Sequence, residues 1–272
     1  MTPARILIVA GSDSGGGAGI QADIKSVTAL GGYAMTAISA LTAQNTLGVQ
    51  DVMGVPEAFI RAQMTAVLDD LGADCIKTGM LHAPGVIDVV ADVLAAHAGA
   101  TPLVVDPVMV AQSGDRLVSE SAMQRLRERL IPRATLITPN LPEAKALLGR
   151  DIPNADAMPE AAQALRDLGC QAVLLKGGHL SGDTLLDVLA DANGCTRFAH
   201  RRIATRSDHG TGCTLASAIA EGIGRGLALE AAVERGRHYL QRALETATPL
   251  GQGHGPVNHG HTVVPFDLPT ER

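Results

Sequence analysis

The sequence predicts an α/β fold in which a mostly parallel sheet is covered by helices on both faces. Three observations carry this. Short runs that are apolar throughout alternate with stretches of helical periodicity, the pattern of strands buried on both faces. Hydrophobic residues make up 46% of the 272 residues, but aromatics only 2% with no Trp, so a sizeable core has to be built from Ala, Val, Ile and Leu. Asp13, Lys77, Asp106, Asn140 and Lys176 fall at or just past the carboxyl ends of predicted strands, the edge where open α/β sheets bind ligands.

Taken in order, Ile6 to Ala10 is a compact apolar run ending in Gly, the profile of a buried strand. The glycine-rich stretch from Gly11 to Gly19 is a loop. Ile20, Ile24, Val27 and Leu30 then recur at helical spacing. Tyr33 to Leu41 reads as extended, Glu57 to Leu71 as helix, and Cys75 to Thr78 as a short strand. Pro84 opens a helix to His97, where a missing N–H costs nothing. "PLVVDP" is a strand ending on Asp106, Ser121 to Leu130 a helix, and "TLITPN" a strand ending on Asn140. Ala161 to Leu168 is a helix, and "AVLLKGG" a strand ending on Lys176. Between Leu185 and Ile203 the pattern weakens, and an antiparallel excursion is expected. Two helices close the chain, Thr211 to Gly224 and Leu229 to Leu244. No linker, repeat or low-complexity segment interrupts residues 1–272, so a single domain is expected.

Composition excludes several functions. A net charge of −6, no basic run and few aromatics argue against a nucleic-acid polymer as partner. The four cysteines, 75, 170, 195 and 213, show neither CxxC nor metal-ligand spacing, as in a reduced, cytoplasmic protein. The opening "MTPARILIVAGSD" reads as a first strand rather than a signal segment, and no run approaches the length of a membrane span.

Four motifs carry chemistry. In "HGTGCTLASAIA" the glycines at 210 and 212 let the backbone curl into the first turn of a helix. Its free N–H groups and dipole suit an anion, as a phosphate cradle or oxyanion site. The loop "GSDSGGGAGIQAD" lacks the Gly-Lys-Ser/Thr of a P-loop. Gly17, Gly19 and Ala22 match a dinucleotide fingerprint weakly, but the next extended segment does not end on an acid, which excludes a nicotinamide or flavin. A loop closing over a small substrate, or simply a wide turn, remains. In "NLPEA", Asn140 and Glu143 suit a hydrated Mg²⁺ beside phosphates, or a helix N-cap with an acid in the first turn; both readings can hold together. Lys176 before two glycines suits nucleotide phosphates. The three histidines of the tail "GHGPVNHGH" fit no metal site.

These segments, with "ALTAQNTLGV", "KTGML", "DPVMVAQSGDRL" and "LLKGGHL", run in order over nearly the whole chain. Together they resemble the bacterial hydroxymethylpyrimidine/phosphomethylpyrimidine kinases of thiamine biosynthesis, a branch of the ribokinase-like superfamily. The resemblance implies a three-layer α/β/α ribokinase-like fold with a mostly parallel central sheet, and a homodimer. It implies two phosphorylations by ATP, of 4-amino-5-hydroxymethyl-2-methylpyrimidine and then of its monophosphate. Gln44 would read the ring nitrogen and exocyclic amine, for which an amide offers a donor and an acceptor. Gly11, Ala18, Thr42, Met80 and Val108 would line the ring pocket, with Asp23 close to the substrate. Gly210, Thr211, Gly212 and Cys213 would form the anion hole. Lys176, Asp106, Thr205 and His209 would meet the nucleotide, and Asn140 and Glu143 the Mg²⁺, partly through water.

A pyridoxal kinase of the same branch shares most of these motifs, while Gln44 and the joined "AQNT" favour the pyrimidine. A non-catalytic pyrimidine- or nucleotide-binding protein on the same fold is the third reading, against which the intact anion hole, NxxE and Lys176 argue. Asp208 and Thr42 depart from the family's usual Thr and Val. Sugar kinases of the wider superfamily carry a catalytic Asp where this chain has Cys213. A thiol there is expected to ionise easily at the helix N-terminus. It would act as base on the alcohol and stay a neutral neighbour to the phosphate of the second step.

Overall fold

Among the described residues, eight strands form one sheet and eight α-helices flank it. The computed structural model describes residues 2–109, 119–178, 180 and 182–266. Residues 110–117 of the "DPVMVAQSGDRL" motif and His179 of "LLKGGHL" lie outside them.

The chain starts with β1 (Arg5–Ala10), the glycine-rich loop and α1 (Gly19–Ala29), then β2 (Tyr33–Ile38). A hairpin follows, β3 (Ala40–Asn45) and β4 (Gly48–Gly54), then α2 (Glu57–Asp70), β5 (Cys75–Thr78), α3 (Pro84–His97) and β6 (Leu103–Val105). After α4 (Glu120–Arg125) come β7 (Leu136–Ile137), α5 (Leu141–Leu148), α6 (Met158–Arg166) and β8 (Val173–Lys176). Strands β9 (Thr184–Asp191) and β10 (Gly194–Arg201) and helices α7 (Thr211–Gly224) and α8 (Leu229–Glu245) complete it.

The sheet order is β10-β9-β8-β7-β6-β5-β1-β2. All pairings from β2 to β8 are parallel, and β9 and β10 turn back antiparallel, the excursion expected from the weakened pattern. Alternate residues of each strand enter opposite cores. Leu7, Val9, Ile76, Val105 and Leu175 face α2 to α6, whereas Ile6, Ile8, Val104 and Leu174 face α1, α7 and α8. Period-two alternation of side chains thus makes three layers from strands that are apolar throughout.

Three differences from the sequence reading matter. The extended stretch from Tyr33 breaks at Ser39. Its first half joins the main sheet and its second half forms β3 of a separate hairpin with β4, whose register shifts between Ala43 and Gln44. Such bulges re-aim side chains. The helix expected over 121–130 starts at Glu120, capped by Ser119, and widens to π geometry at Leu126–Leu130. "TLITPN" pairs as a strand only at Leu136–Ile137, because Asn140 already caps α5. Among the described residues no helix is long and apolar enough to cross a membrane.

Candidate active site

A cavity of about 820 Å³ opens at the carboxyl edge of the parallel strands, within the size range of small-molecule sites. The sheet positions two of its polar residues directly, since β6 and β8 end beside Asp106 and on Lys176.

One end of the cavity is the glycine-rich loop and the hairpin. Gly11, Ala18, Thr42, Gln44, Met80 and Val108 all line it. The Ser14 hydroxyl holds the Gln44 backbone twice, donating to its carbonyl at 2.7 Å and accepting from its N–H at 2.8 Å. The Gln44 side chain lies 3.2 Å from the Thr42 hydroxyl and 3.5 Å from His209 Nε2. Asp13 organises the loop, accepting from Gly15, Gly17 and Ala18 N–H groups and bonding His209 Nε2 at 2.8 Å. Burial opposes the Asp13 charge, but His209 and the Ala18 and Gly15 N–H groups outweigh it and hold the carboxyl below its ordinary range.

The middle is the start of α7. Gly210 has φ +82°, a backbone open to glycine, and a Cβ there would strike the Gly17 carbonyl, so the two glycine-rich segments lie back to back. No side chain caps α7, which leaves its first N–H groups for a ligand. Lys176 Nζ lies 3.4 Å from Asp106 Oδ1. Burial opposes the Lys176 charge, but Asp106 and Glu143 overcome it and hold the ammonium above its ordinary range. Asp106 Oδ2 is buried without a partner, while Oδ1 accepts from Thr138.

Asn140 and Glu143 form a reciprocal capping box on α5, at 2.9 and 2.8 Å. Burial, opposed by Lys176 and reinforced by Asp106, pushes the Glu143 carboxyl up to about 7. Together with the free oxygen of Asp106, these side chains make an oxygen-only set. Such a set fits Mg²⁺, which uses one or two carboxylates with substrate phosphates and waters. Among the described residues no three His, Cys, Asp or Glu side chains are placed to hold a metal by themselves.

The lining also includes the apolar Ile203, Leu240 and Leu244, together with Thr205 and the polar His200, Arg202 and Gln241. These residues carry no motif. In the sequence, the α8 leucines read only as one side of a helix.

Three expectations are corrected. Asp23 does not line the cavity. It is fully buried, receives Lys77 Nζ at 2.9 Å on both oxygens and Ser217 Oγ at 2.6 Å, and so ties α1, β5 and α7 together. Burial raises the Asp23 carboxyl against Lys77 and Ser217, whereas Asp23 holds Lys77 above its ordinary range despite burial. The three hydrogen bonds donated to the Asp23 carboxylate favour its charged form against burial. His209, expected at the nucleotide, instead joins Asp13 and Gln44 across the glycine-rich loop. The Cys213 thiol, partly open toward the cavity, is not acidified. Burial pushes it up to about 12, aided by Asp23 and Asp106 and opposed by Lys77 and the Gly19 backbone. Burial acts in this direction because it disfavours the charged thiolate.

Residues 13–258 match the family model described as phosphomethylpyrimidine kinase. The thiamine biosynthesis bifunctional protein ThiED of Geobacter sulfurreducens is 50% identical over 93% of this chain, which spans about half (52%) of that longer protein. A hydroxymethylpyrimidine/phosphomethylpyrimidine kinase of Mycobacterium bovis is 46% identical over 95% of this chain and 94% of its own. Among solved structures, an ADP complex of the Bacillus subtilis pyridoxal kinase superposes with a TM-score of 0.88 at 35% identity, covering 95% of this chain and 98% of that one. A three-layer ribokinase-like fold, an uncapped helix start beside a half-buried lysine and a family match over most of the sequence lead to one assignment: the chain belongs to the phosphomethylpyrimidine kinase family.

Proposed function

We propose that this protein transfers the γ-phosphoryl group of ATP to the hydroxymethyl oxygen of 4-amino-5-hydroxymethyl-2-methylpyrimidine, and then to the resulting monophosphate. In each step the bond from the γ-phosphorus to ADP breaks as one to the acceptor oxygen forms. In the first step the alcohol's proton passes to an oxygen of the transferred phosphoryl group and from there to water; the phosphate acceptor of the second step is already largely ionised. The observation that carries this reading is one cavity holding a pinned amide reader, Gln44, at one end, and an uncapped helix N-terminus with Lys176 in the middle.

Phosphoryl transfer asks for positioning and charge neutralisation more than covalent chemistry. Gln44 offers a donor and an acceptor to an aminopyrimidine edge, between Met80 and Val108. The N–H groups of Thr211, Gly212 and Cys213 and the Lys176 ammonium receive the moving charge. Ile203, Leu240 and Leu244 give the nucleotide base apolar contacts, with Thr205 nearby. Asn140, Glu143 and Asp106 would hold Mg²⁺, which neutralises phosphate charge when bound. Cys213 stays neutral beside the acceptor in both steps. A carboxylate about 4 Å from a phosphate would be repelled by roughly 4 kcal/mol per unit-charge pair at an effective dielectric of about 20. The loose transition state lets the alcohol step proceed without a strong base.

A homodimer belongs to the same reading. Leu41, Val52 and Met53 of the hairpin and the nearby sequence neighbour Leu47 are exposed apolar side chains on an element outside the main sheet. A two-stranded hairpin needs cover to be stable on its own.

The likeness to a pyridoxal kinase supports a second reading, phosphorylation of a pyridine alcohol. The test is ATP consumption with hydroxymethylpyrimidine, its monophosphate and pyridoxal in parallel. Turnover on both pyrimidines, well above pyridoxal, supports the main reading. Turnover on pyridoxal alone establishes the second, and none with any acceptor refutes both.

A further inference from the structure

The tail motif around Gly253–His259 has no part in the chemistry above, yet it is bonded to both working ends of the cavity. The His254 N–H donates to the Thr46 carbonyl at 3.0 Å, just beyond Gln44 on the hairpin. A Cβ on Gly253 would strike that same carbonyl, so the contact requires glycine. The Gly255 N–H donates to Arg206 O at 2.7 Å, and the His209 N–H donates to Gly255 O at 3.0 Å. Farther on, His259 Nε2 lies 3.0 Å from the Thr214 hydroxyl, one residue after Cys213.

This strap delivers a titratable side chain, His254, to the segment that opens α7. Among the described residues five carboxylates line the cavity: Asp13, Asp106, Glu143, Asp187 and Asp208. A site for a polyanion tolerates carboxylates only where their charge is answered. Asp13 is met by His209 and the loop N–H groups, Asp106 by Lys176, Glu143 by Asn140 N–H, and Asp187 by Arg237 and Gly177 N–H. Asp208 stands three residues before Thr211, the uncapped start of α7, where a like charge does most harm to an incoming phosphate. His254 Nδ1 lies 2.6 Å from its Oδ1.

We propose that His254 is a positioning residue for the nucleotide: by holding Asp208, it keeps that carboxylate from repelling the phosphates that α7 and Lys176 receive. The proposal rests on the ATP-dependent reading above. His254 touches no reacting atom and acts through Asp208 alone, so its importance depends on the Asp208 charge.

A double-mutant cycle tests this. His254→Ala should raise KM for Mg-ATP about three- to fivefold, the range of a partly exposed ion pair. It should leave kcat and KM for the pyrimidine within about twofold. His254→Lys, which supplies a donor of fixed positive charge, should restore KM. In an Asp208→Asn background the same His254→Ala change should alter KM for Mg-ATP by less than about twofold. A loss of equal size in both backgrounds, a rise in pyrimidine KM of the same size, or no change at all would overturn the proposal. Failure of the parent enzyme to saturate with ATP would instead refute the nucleotide reading on which it rests.

Discussion

Cys213 occupies the first turn of α7, where thiols are usually made acidic, yet its surroundings hold the proton on. Burial, Asp23 and Asp106 outweigh Lys77 and push the thiol up to about 12. The sign is clear: below that value the group is neutral, and reactive thiolate accumulates only as pH rises toward it. Alkylation of Cys213 by iodoacetamide, followed by mass spectrometry without ligands, should therefore remain slow at pH 9. It should climb steeply only in more alkaline solution; a midpoint near the ordinary thiol value of about 8.5 would contradict this. Gln44 makes a second test. Gln44→Ala should weaken the pyrimidine by about 1–3 kcal/mol, roughly 5- to 150-fold in KM, with KM for ATP unchanged. Equal loss for both substrates would make Gln44 structural. Most cavity residues are legible in the sequence because each sits inside a short motif at a strand end. The thiol's neutrality is not legible, since it depends first on burial, and then on Asp23 and Asp106, which the fold brings near from far along the chain. The place of His209 is hidden for the same reason: its partner Asp13 lies 196 residues away.

The capping box of α5 shows one element serving two purposes. Asn140 accepts the Glu143 N–H, and Glu143 accepts the Asn140 N–H, so the cap also fixes both side chains at the cavity. Asn140→Ala removes a cap worth about 1 kcal/mol. In a domain of this size that is about 2–4 °C in melting temperature. Measured in EDTA, the shift isolates the cap from any metal effect. An unchanged melt would mean that the side chain contributes nothing to the helix. Glu143→Gln in turn should raise the Mg²⁺ concentration needed for half-maximal rate while leaving pyrimidine KM alone, and an unchanged titration would remove Glu143 from the metal site. The hairpin is where reading by element falls short. Tyr33 to Leu41 is continuously extended in pattern, and nothing local marks Ser39 as the point where the chain leaves the main sheet. Only the buried Ser39 hydroxyl, donating to Met80 O at 2.8 Å, reveals the departure.

The architecture as a whole is legible because strand and helix periods alternate cleanly and because the strands buried on both faces are mostly apolar, with polar residues such as Lys77 and Thr78 confined near their carboxyl ends. Strand order is not legible, since pairing is decided by crossovers rather than by local pattern. The exposed apolar side chains of the hairpin, Leu41 and Met53 on one face and Val52 on the other, predict a dimer in solution. Light scattering coupled to gel filtration should give twice the chain mass, and Val52→Glu with Met53→Glu should reduce it to one chain; a monomeric parent would contradict the proposal. The sharpest test of a single site serving both acceptors is a ³¹P NMR product series from hydroxymethylpyrimidine and excess ATP, run with the parent enzyme and with Cys213→Asp. The parent should pass through the monophosphate to the diphosphate, whereas Cys213→Asp should accumulate the monophosphate and stop. If Cys213→Asp forms the diphosphate as fast as the parent does, charge beside the acceptor does not govern the second step, and the neutrality of the thiol has no part in accepting a phosphate.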